Sequence, residues 1–260
     1  MRIIREAEKM QQLAFRWRKA GKTIALVPTM GALHPGHLSL AEIANKKADC
    51  VVMSIYVNPT QFGPREDFKK YPRPFSADLE KCRRAKVDVV FAPARLYADD
   101  HSTWVDEEAV SRGRCGGSRP GHFRGVATVV LKLLNLVQPH VAVFGQKDAQ
   151  QVGVIRRMVR DLNVPVEIVA APILRDRDGL AMSSRNIYLS PAERERALAL
   201  PLLLRLAAER RRPEKWLARE LGRAGLRVDY AECAEGRLCA AVWVGKTRLI
   251  DNIACGAGRG

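Results

Sequence analysis

The feature that most constrains this chain is a repeated alternation of short apolar runs with longer stretches of helical periodicity. Residues 23–28, 49–57, 87–92, 140–144 and 164–170 are short and apolar, the mark of strands. Between them, 3–20, 38–48, 78–86, 126–136 and 148–162 carry apolar residues at helical spacing. In the first of these Ile4, Ala7, Met10, Leu13, Ala14 and Trp17 share one face, and Gly21 follows as a stop. The run 49–57 is too continuously apolar to have a wet face, so it is expected between two layers. Strands alternating with helices of this length predict a parallel sheet covered on both faces. In such sheets ligands bind beyond the carboxyl ends of the strands.

The pattern changes after Asp176-Arg-Asp-Gly179. Ser190-Pro-Ala-Glu193 combines an N-cap serine, a proline at the first helical position and a glutamate three after the cap, a strong helix start. Pro201 is expected to kink or divide the helix that begins there. A short helix over 214–224 and strands near 227–231, 240–244 and 247–251 complete a small α+β unit. The expected organisation is an α/β Rossmann-like parallel-sheet domain over 1–174 and a smaller α+β lid domain over 175–260.

With 260 residues, 47% of them hydrophobic, the chain can bury a sizeable core. No apolar stretch reaches membrane-spanning length and the start lacks a signal-peptide core, so a cytoplasmic protein with no membrane partner is expected. The six cysteines are scattered, none at a C-x-x-C spacing, which argues against a metal cluster or disulfide framework. The formal charge of +16 invites a nucleic-acid reading. Residues 179–260, however, hold 15 basic and 9 acidic residues, or +6, and the rest of the chain the other +10. A charge spread this evenly fits an anionic small substrate as well as RNA or DNA.

Four groups fall where such a sheet places its site. Pro28-Thr-Met-Gly-Ala-Leu-His-Pro-Gly-His37 follows the first strand and opens a helix, with His34 and His37 three apart on one face. The free N–H groups and positive dipole end of that helix favour a phosphate, to which two imidazoles donate hydrogen bonds. The bland alternative is a pair of capping or surface histidines. Asn58-Pro-Thr-Gln-Phe62 follows the second strand; its amides suit a small polar substrate, or simply a turn. Gly145-Gln-Lys-Asp148 ends another strand, with Gln150 and Gln151 beyond it; a lysine at a helix start calls for an anion. Met182-Ser-Ser-Arg185 places two hydroxyls and a guanidinium in one loop at the domain junction, a phosphate clamp or an ordinary polar loop. Together the four describe an ATP-using enzyme.

The chain resembles the pantoate–β-alanine ligases almost from end to end. The resemblance rests on Val27-Pro-Thr-Met-Gly-Ala-Leu-His-Pro-Gly-His37, Val57-Asn-Pro-Thr-Gln-Phe62, Tyr71-Pro-Arg73 and Arg119-Pro-Gly-His-Phe-Arg-Gly125. It continues through Phe144-Gly-Gln-Lys-Asp-Ala-Gln-Gln151, Asp178-Gly-Leu-Ala-Met-Ser-Ser-Arg-Asn186 and Thr247-Arg-Leu-Ile-Asp-Asn252. The H-x-G-H element alone would indicate only the wider nucleotidyltransferase group.

The resemblance implies that ATP and pantoate form pantoyl adenylate and pyrophosphate with Mg²⁺, and that β-alanine then releases AMP. It also implies a homodimer through the larger domain. By position, Met30, Gly31, Ala32, Leu33, His34, Pro35, Gly36 and His37 line the ATP site, His37 being the residue usually named as proton donor. Gly145, Gln146, Lys147 and Asp148 contact ATP, Lys147 at phosphate and Asp148 near the ribose, with a backbone contact from Leu174 to adenine. Met182, Ser183, Ser184 and Arg185 close over the triphosphate. Gln61 and Gln151 hold pantoate, Gln61 also meets β-alanine, and Asp78 is the match for an acid near the metal. The chain departs from the family pattern at Gln146, Ala149 and Pro74, and in a short stretch between Leu206 and Val228.

Two rivals remain at this level. Another H-x-G-H nucleotidyltransferase acting on a phosphorylated acceptor would show no AMP release dependent on β-alanine. An RNA-binding module would bind without ATP and with a steep salt slope. The Gly- and Arg-rich segment 112–125 is expected to act as a water-excluding lid.

Overall fold

The computed structural model describes residues 1–64 and 66–255. Its larger sheet is parallel throughout, built from β1 (Arg2–Ile4), β2 (Ile24–Thr29), β3 (Cys50–Ile55), β4 (Val89–Phe91), β5 (Val141–Gly145) and β6 (Glu167–Ala171). Their order across the sheet is β1-β4-β3-β2-β5-β6. The chain therefore leaves β2 in one direction toward β3 and β4, and returns to its other side as β5. That reversal opens a crevice at the carboxyl ends of β2 and β5.

Period-two alternation decides what each face buries. Ile24 and Leu26 of β2 face a core shared with Met10 and Leu13 of α1 (Ala7–Lys19), Phe123 to Val137 of α5 (His122–Val137), and Ile155 of α6 (Ala149–Asp161). Ala25 and Val27 face the other core, closed by Leu40, Ala41 and Ala44 of α2 (Pro35–Lys47) and Cys82 of α3 (Phe75–Arg84). This confirms the two-sided covering expected of the apolar runs.

Two expectations need adjusting. The first helix starts at Ala7, because Arg2 to Ile4 form an edge strand paired with β4. Residues 112–125 are no open flap: they hold α4 (Arg114–Ser118) and the first turn of α5, with Cys115, His122 and Phe123 buried. As expected of Pro201, the helix that starts at Ser190 is divided, at Leu198, into α7 (Pro191–Ala197) and α8 (Ala199–Glu209). Pro201 cannot donate to the carbonyl of Ala197 and its ring crowds that carbonyl, so α7 ends there.

The remaining unit packs α8 and α9 (Glu214–Arg223) on an antiparallel sheet of β7 (Arg227–Ala234), β8 (Arg237–Val244) and β9 (Thr247–Ala254). Leu200, Leu204, Leu217, Leu221, Leu238 and Val242 form its core. No described helix is long and apolar enough to cross a membrane.

Candidate active site

Beyond β2 the chain turns through residues 30–34 before α2 begins. Ala32 takes a left-handed φ of 50°, which a β-carbon disfavours. The turn is pinned by Asp78 of α3, buried to 1% exposure, whose two carboxylate oxygens each accept a backbone N–H, from Ala32 at 2.8 Å and Leu33 at 2.8 Å. Asp78 is thus the anchor of this loop, its carboxylate facing the two amides. Among the described residues no three His, Cys, Asp or Glu side chains converge as a cation cage. A metal carried on a triphosphate needs few protein ligands.

His34 is the N-cap of α2. Its Nδ1 accepts the Gly36 N–H at 3.1 Å, and His37 Nδ1 accepts the His34 N–H at 3.3 Å, a reciprocal cap. Gly36 is required here: a β-carbon would stand 2.8 Å from His34 Cε1. The two rings lie 4.0 Å apart between centroids. Burial, reinforced by the Lys147 charge, lowers the His34 pKa to about 4. Burial, then the neighbouring His34, Lys147 and Lys81, hold His37 well below its ordinary value. Both rings are therefore neutral at pH 7, and with Nδ1 occupied by a backbone donor each carries its proton on Nε2. The pair does cap the helix, and the same cap leaves each ring an Nε2–H donor.

A cavity of about 220 Å³ lies over these rings. Its walls include Met30, His34, Gly36 and His37 from the β2 side, Gly145, Lys147, Asp148 and Gln151 from the β5 side, and Gln61 after β3. Leu174, Met182, Ser183, Ser184 and Arg185 complete it. Gly31, Ala32, Leu33, Pro35 and Gln146 do not line it. The first four shape the turn from behind, and Gln146 sends its carbonyl toward the small domain. This volume is below that of ordinary small-molecule sites. A larger cleft of about 1150 Å³ adjoins it, sharing Lys147, Asp148, Gln151, Ser183 and Arg185.

Gln61, 9% exposed, sits on a one-turn helix at Pro59–Gln61. Its Oε1 accepts from Asn58 Nδ2 at 3.0 Å and its Nε2 reaches the Met30 sulfur at 3.3 Å, so its amide protons face the cavity side. Asn58 also donates to the Gly125 carbonyl. Gly125 allows α5 to lie against this turn, since a β-carbon there would meet the Thr60 carbonyl oxygen at 2.4 Å. The adjacent glutamines divide. Gln151 faces the cavity, whereas buried Gln150 accepts from Cys115 N–H and donates to the carbonyls of Val110 and Arg112.

Sequence reasoning gave no role to His122. Its Nδ1 donates to the Gln61 carbonyl at 2.8 Å, which leaves Nε2 to accept from Arg119 Nη1 at 2.9 Å. Burial, then the Arg119 charge, lowers its pKa to about 4. Arg119 is held by Glu66 through Nε and Nη2, at 2.7 and 2.8 Å. The clue in the sequence was only that a histidine opens an apolar helix.

Opposite the histidines, the Arg185 guanidinium is already engaged. It forms a bidentate pair with Asp67, at 3.0 and 2.9 Å, while the Tyr71 hydroxyl lies 3.4 Å from Ser184 Oγ. Burial pushes the Asp67 carboxyl up, but the hydrogen bonds and charge of Arg185 outweigh it and hold the pKa below its ordinary value. The expected triphosphate clamp thus needs Arg185 to exchange one anion for another.

Residues 2–254 match the family described as pantoate-beta-alanine ligase. The chain is 49% identical to a pantothenate synthetase of Thermotoga neapolitana, over 98% of this chain and 100% of that protein. It is 50% identical to one of Moorella thermoacetica, over 91% and 92%. The fold superposes on pantothenate synthetase from Thermus thermophilus with a TM-score of 0.89 and 40% identity, covering 98% and 99% of the two chains. A pantoate-beta-alanine ligase of Francisella tularensis, solved with beta-gamma ATP and beta-alanine, gives a TM-score of 0.90 at 35% identity, over 98% and 97%.

Proposed function

The chain belongs to the pantoate–β-alanine ligase family, and from that premise we propose how its residues divide the work of the reaction. The reaction is the ATP-dependent condensation of pantoate with β-alanine. The observation that carries the division is the convergence on one cavity of two neutral imidazole donors, Lys147 and the 182–185 loop, with Gln61 and Gln151 in its wall.

In the first half-reaction the pantoate carboxylate attacks the α-phosphorus in line and pyrophosphate leaves. Displacement at phosphorus asks for position and charge stabilisation more than covalent chemistry. His34 and His37 donate through Nε2–H, Lys147 adds an ammonium, and Ser183, Ser184 and Arg185 meet the polyphosphate. Gln61 and Gln151 hold pantoate. Asp148 lies near the ribose and Leu174 beside adenine. The Leu174 carbonyl already accepts the Met182 N–H at 3.0 Å, which ties the two cavity segments together. Mg²⁺ would arrive on the triphosphate and supply charge neutralisation there.

In the second half-reaction the β-alanine amine attacks the acyl carbon and AMP leaves. Neither imidazole offers a free lone pair, because each Nδ1 accepts a backbone N–H. Both therefore act as donors and not as the base that takes the amine proton, and a neutral Nε2–H is a weak acid. A homodimer through the larger domain belongs to the same proposal, and sedimentation checks it.

The test is AMP formation from ATP and pantoate with and without β-alanine, alongside pantoate-dependent ATP–pyrophosphate exchange. Loss of one such donor costs on the order of 3 kcal/mol in the transition state. His37→Ala and Lys147→Ala are each expected to slow exchange about a hundredfold with the fold intact. Near-normal exchange in both variants would remove these roles. AMP release indifferent to β-alanine would favour the nucleotidyltransferase reading.

A further inference from the structure

The small domain reaches the cavity wall through a side chain that the roles above leave unused. Asn252 on β9 is 2% exposed. Its Nδ2 donates to the carbonyl of Gln146 at 3.0 Å and to that of Lys147 at 2.9 Å. Its Oδ1 accepts from Arg237 Nε. A guanidinium can only donate, so this contact settles which end of the amide is oxygen and leaves both NH₂ protons facing the two carbonyls. The strand is anchored in turn: Asp251, its side chain fully buried, takes Arg175 Nη1 at 2.6 Å and Nη2 at 3.0 Å, and accepts the Asn252 N–H.

The two carbonyls belong to the peptide units immediately before and after the Lys147 α-carbon. Fixing both planes fixes φ and ψ at Lys147, and with them the direction in which its side chain leaves the backbone. The one-turn helix Gln146–Asp148 has no side-chain cap of its own, and the nearest carboxylate to the Lys147 ammonium is Asp148, 3.8 Å away. The residue that aims Lys147 comes from the other domain, 105 positions along the chain.

We propose that Asn252 is a positioning residue for the adenylation half-reaction, acting through Lys147. The proposal rests on the role given above to Lys147 at the phosphates. Asn252→Asp keeps the shape but sets carboxylate oxygen against two carbonyls. A displacement of about 1 Å at a reacting group can cost about a hundredfold. Pantoate-dependent ATP–pyrophosphate exchange is expected to slow by about tenfold to a hundredfold. Condensation of supplied pantoyl adenylate with β-alanine, measured on the same preparation, should stay within about twofold, since Lys147 serves the first step. Combined with Lys147→Ala, Asn252→Asp should add no further loss, because the group it aims is gone. Equal loss in both half-reactions, or multiplying losses in the double variant, would overturn the proposal. Normal exchange in Lys147→Ala alone would overturn the reading of Lys147 and this proposal with it. Normal exchange in Asn252→Asp beside a slow Lys147→Ala would overturn the proposal alone. If Asn252→Asp does not fold, Arg237→Met, which frees the amide to turn over, is expected to show the same split and is overturned by the same results.

Discussion

On the β2 side of the cavity the functional side chains are tied to backbone. His34 and His37 each accept a main-chain N–H, and the turn before them hangs on the two oxygens of Asp78. On the opposite side they are tied to other side chains, Arg185 to Asp67 and Ser184 to Tyr71. The first wall is preorganised and holds its donors still while charge develops, which is where electrostatic catalysis gains most. The second is held by contacts that an arriving polyphosphate can replace like for like. A site that must admit a large nucleotide and then exclude water needs both kinds of wall.

The sharpest way to break the contrast is Asp78→Ala. It strands one buried and one half-buried N–H donor at a left-handed turn and is expected to cost about 3 kcal/mol of stability. Adenylation should fall by about a hundredfold, as the donors lose their fixed aim. Full activity in exchange assays on the folded variant would show that the wall needs no such anchor.

Acid should separate the buried histidines from the exchangeable wall. His122 has a folded pKa of about 4 against an ordinary 6.5, so between these values the unfolded chain takes up a proton that the folded chain refuses. Stability is therefore full above pH 6.5 and falls as the pH drops toward 4, by up to about 3 kcal/mol for this buried ring. His34 pulls in the same direction over the same window. Asp67 is depressed instead, so its contribution persists through that range and is lost only below its ordinary value of 3.8. Denaturant midpoints at pH 7 and pH 4.5 check this: the drop should shrink in His122→Gln and be unchanged in Asp67→Asn.

The smallest expected effect is the most specific to the exchangeable wall. Asp67→Asn removes the anion that competes for Arg185, and the KM for ATP is expected to fall about threefold, a difference of roughly 0.6 kcal/mol. A rise in KM would mean that Asp67 holds Arg185 in its working position, and that both walls are preorganised.

Much of this was legible beforehand. The strand–helix alternation predicted the covered parallel sheet, and the helix start at His34-Pro-Gly-His37 announced a cap. Gln61 and Gln151, the two expected to hold pantoate, both line the cavity, but Gln150, their neighbour in type and position, serves structure instead. Nothing local distinguishes Gln150 from Gln151. One turn step on α6 points the first at the 110–113 backbone and the second at the cavity. The loop-anchoring contacts of Asp78 are hidden for a related reason, since a carboxylate's partner cannot be inferred from its own neighbours in sequence.

What the sequence by itself determined were features set by nearest neighbours: strand and helix periods, the caps at His34 and Ser190, and the break that Pro201 forces after Ala197. The tertiary structure decided the partners. Asp78 lies 46 positions from Ala32, Asp67 lies 118 from Arg185, and Asn252 lies 105 from Lys147. The protonation of the histidines belongs to the second class as well, because burial and the Lys147 charge set it. Propensities and caps act over a few residues, whereas burial and charge act between whatever the fold brings within a few ångströms. The chain offers the two histidines as candidate phosphate ligands; that they are neutral Nε2–H donors is a property of the folded site.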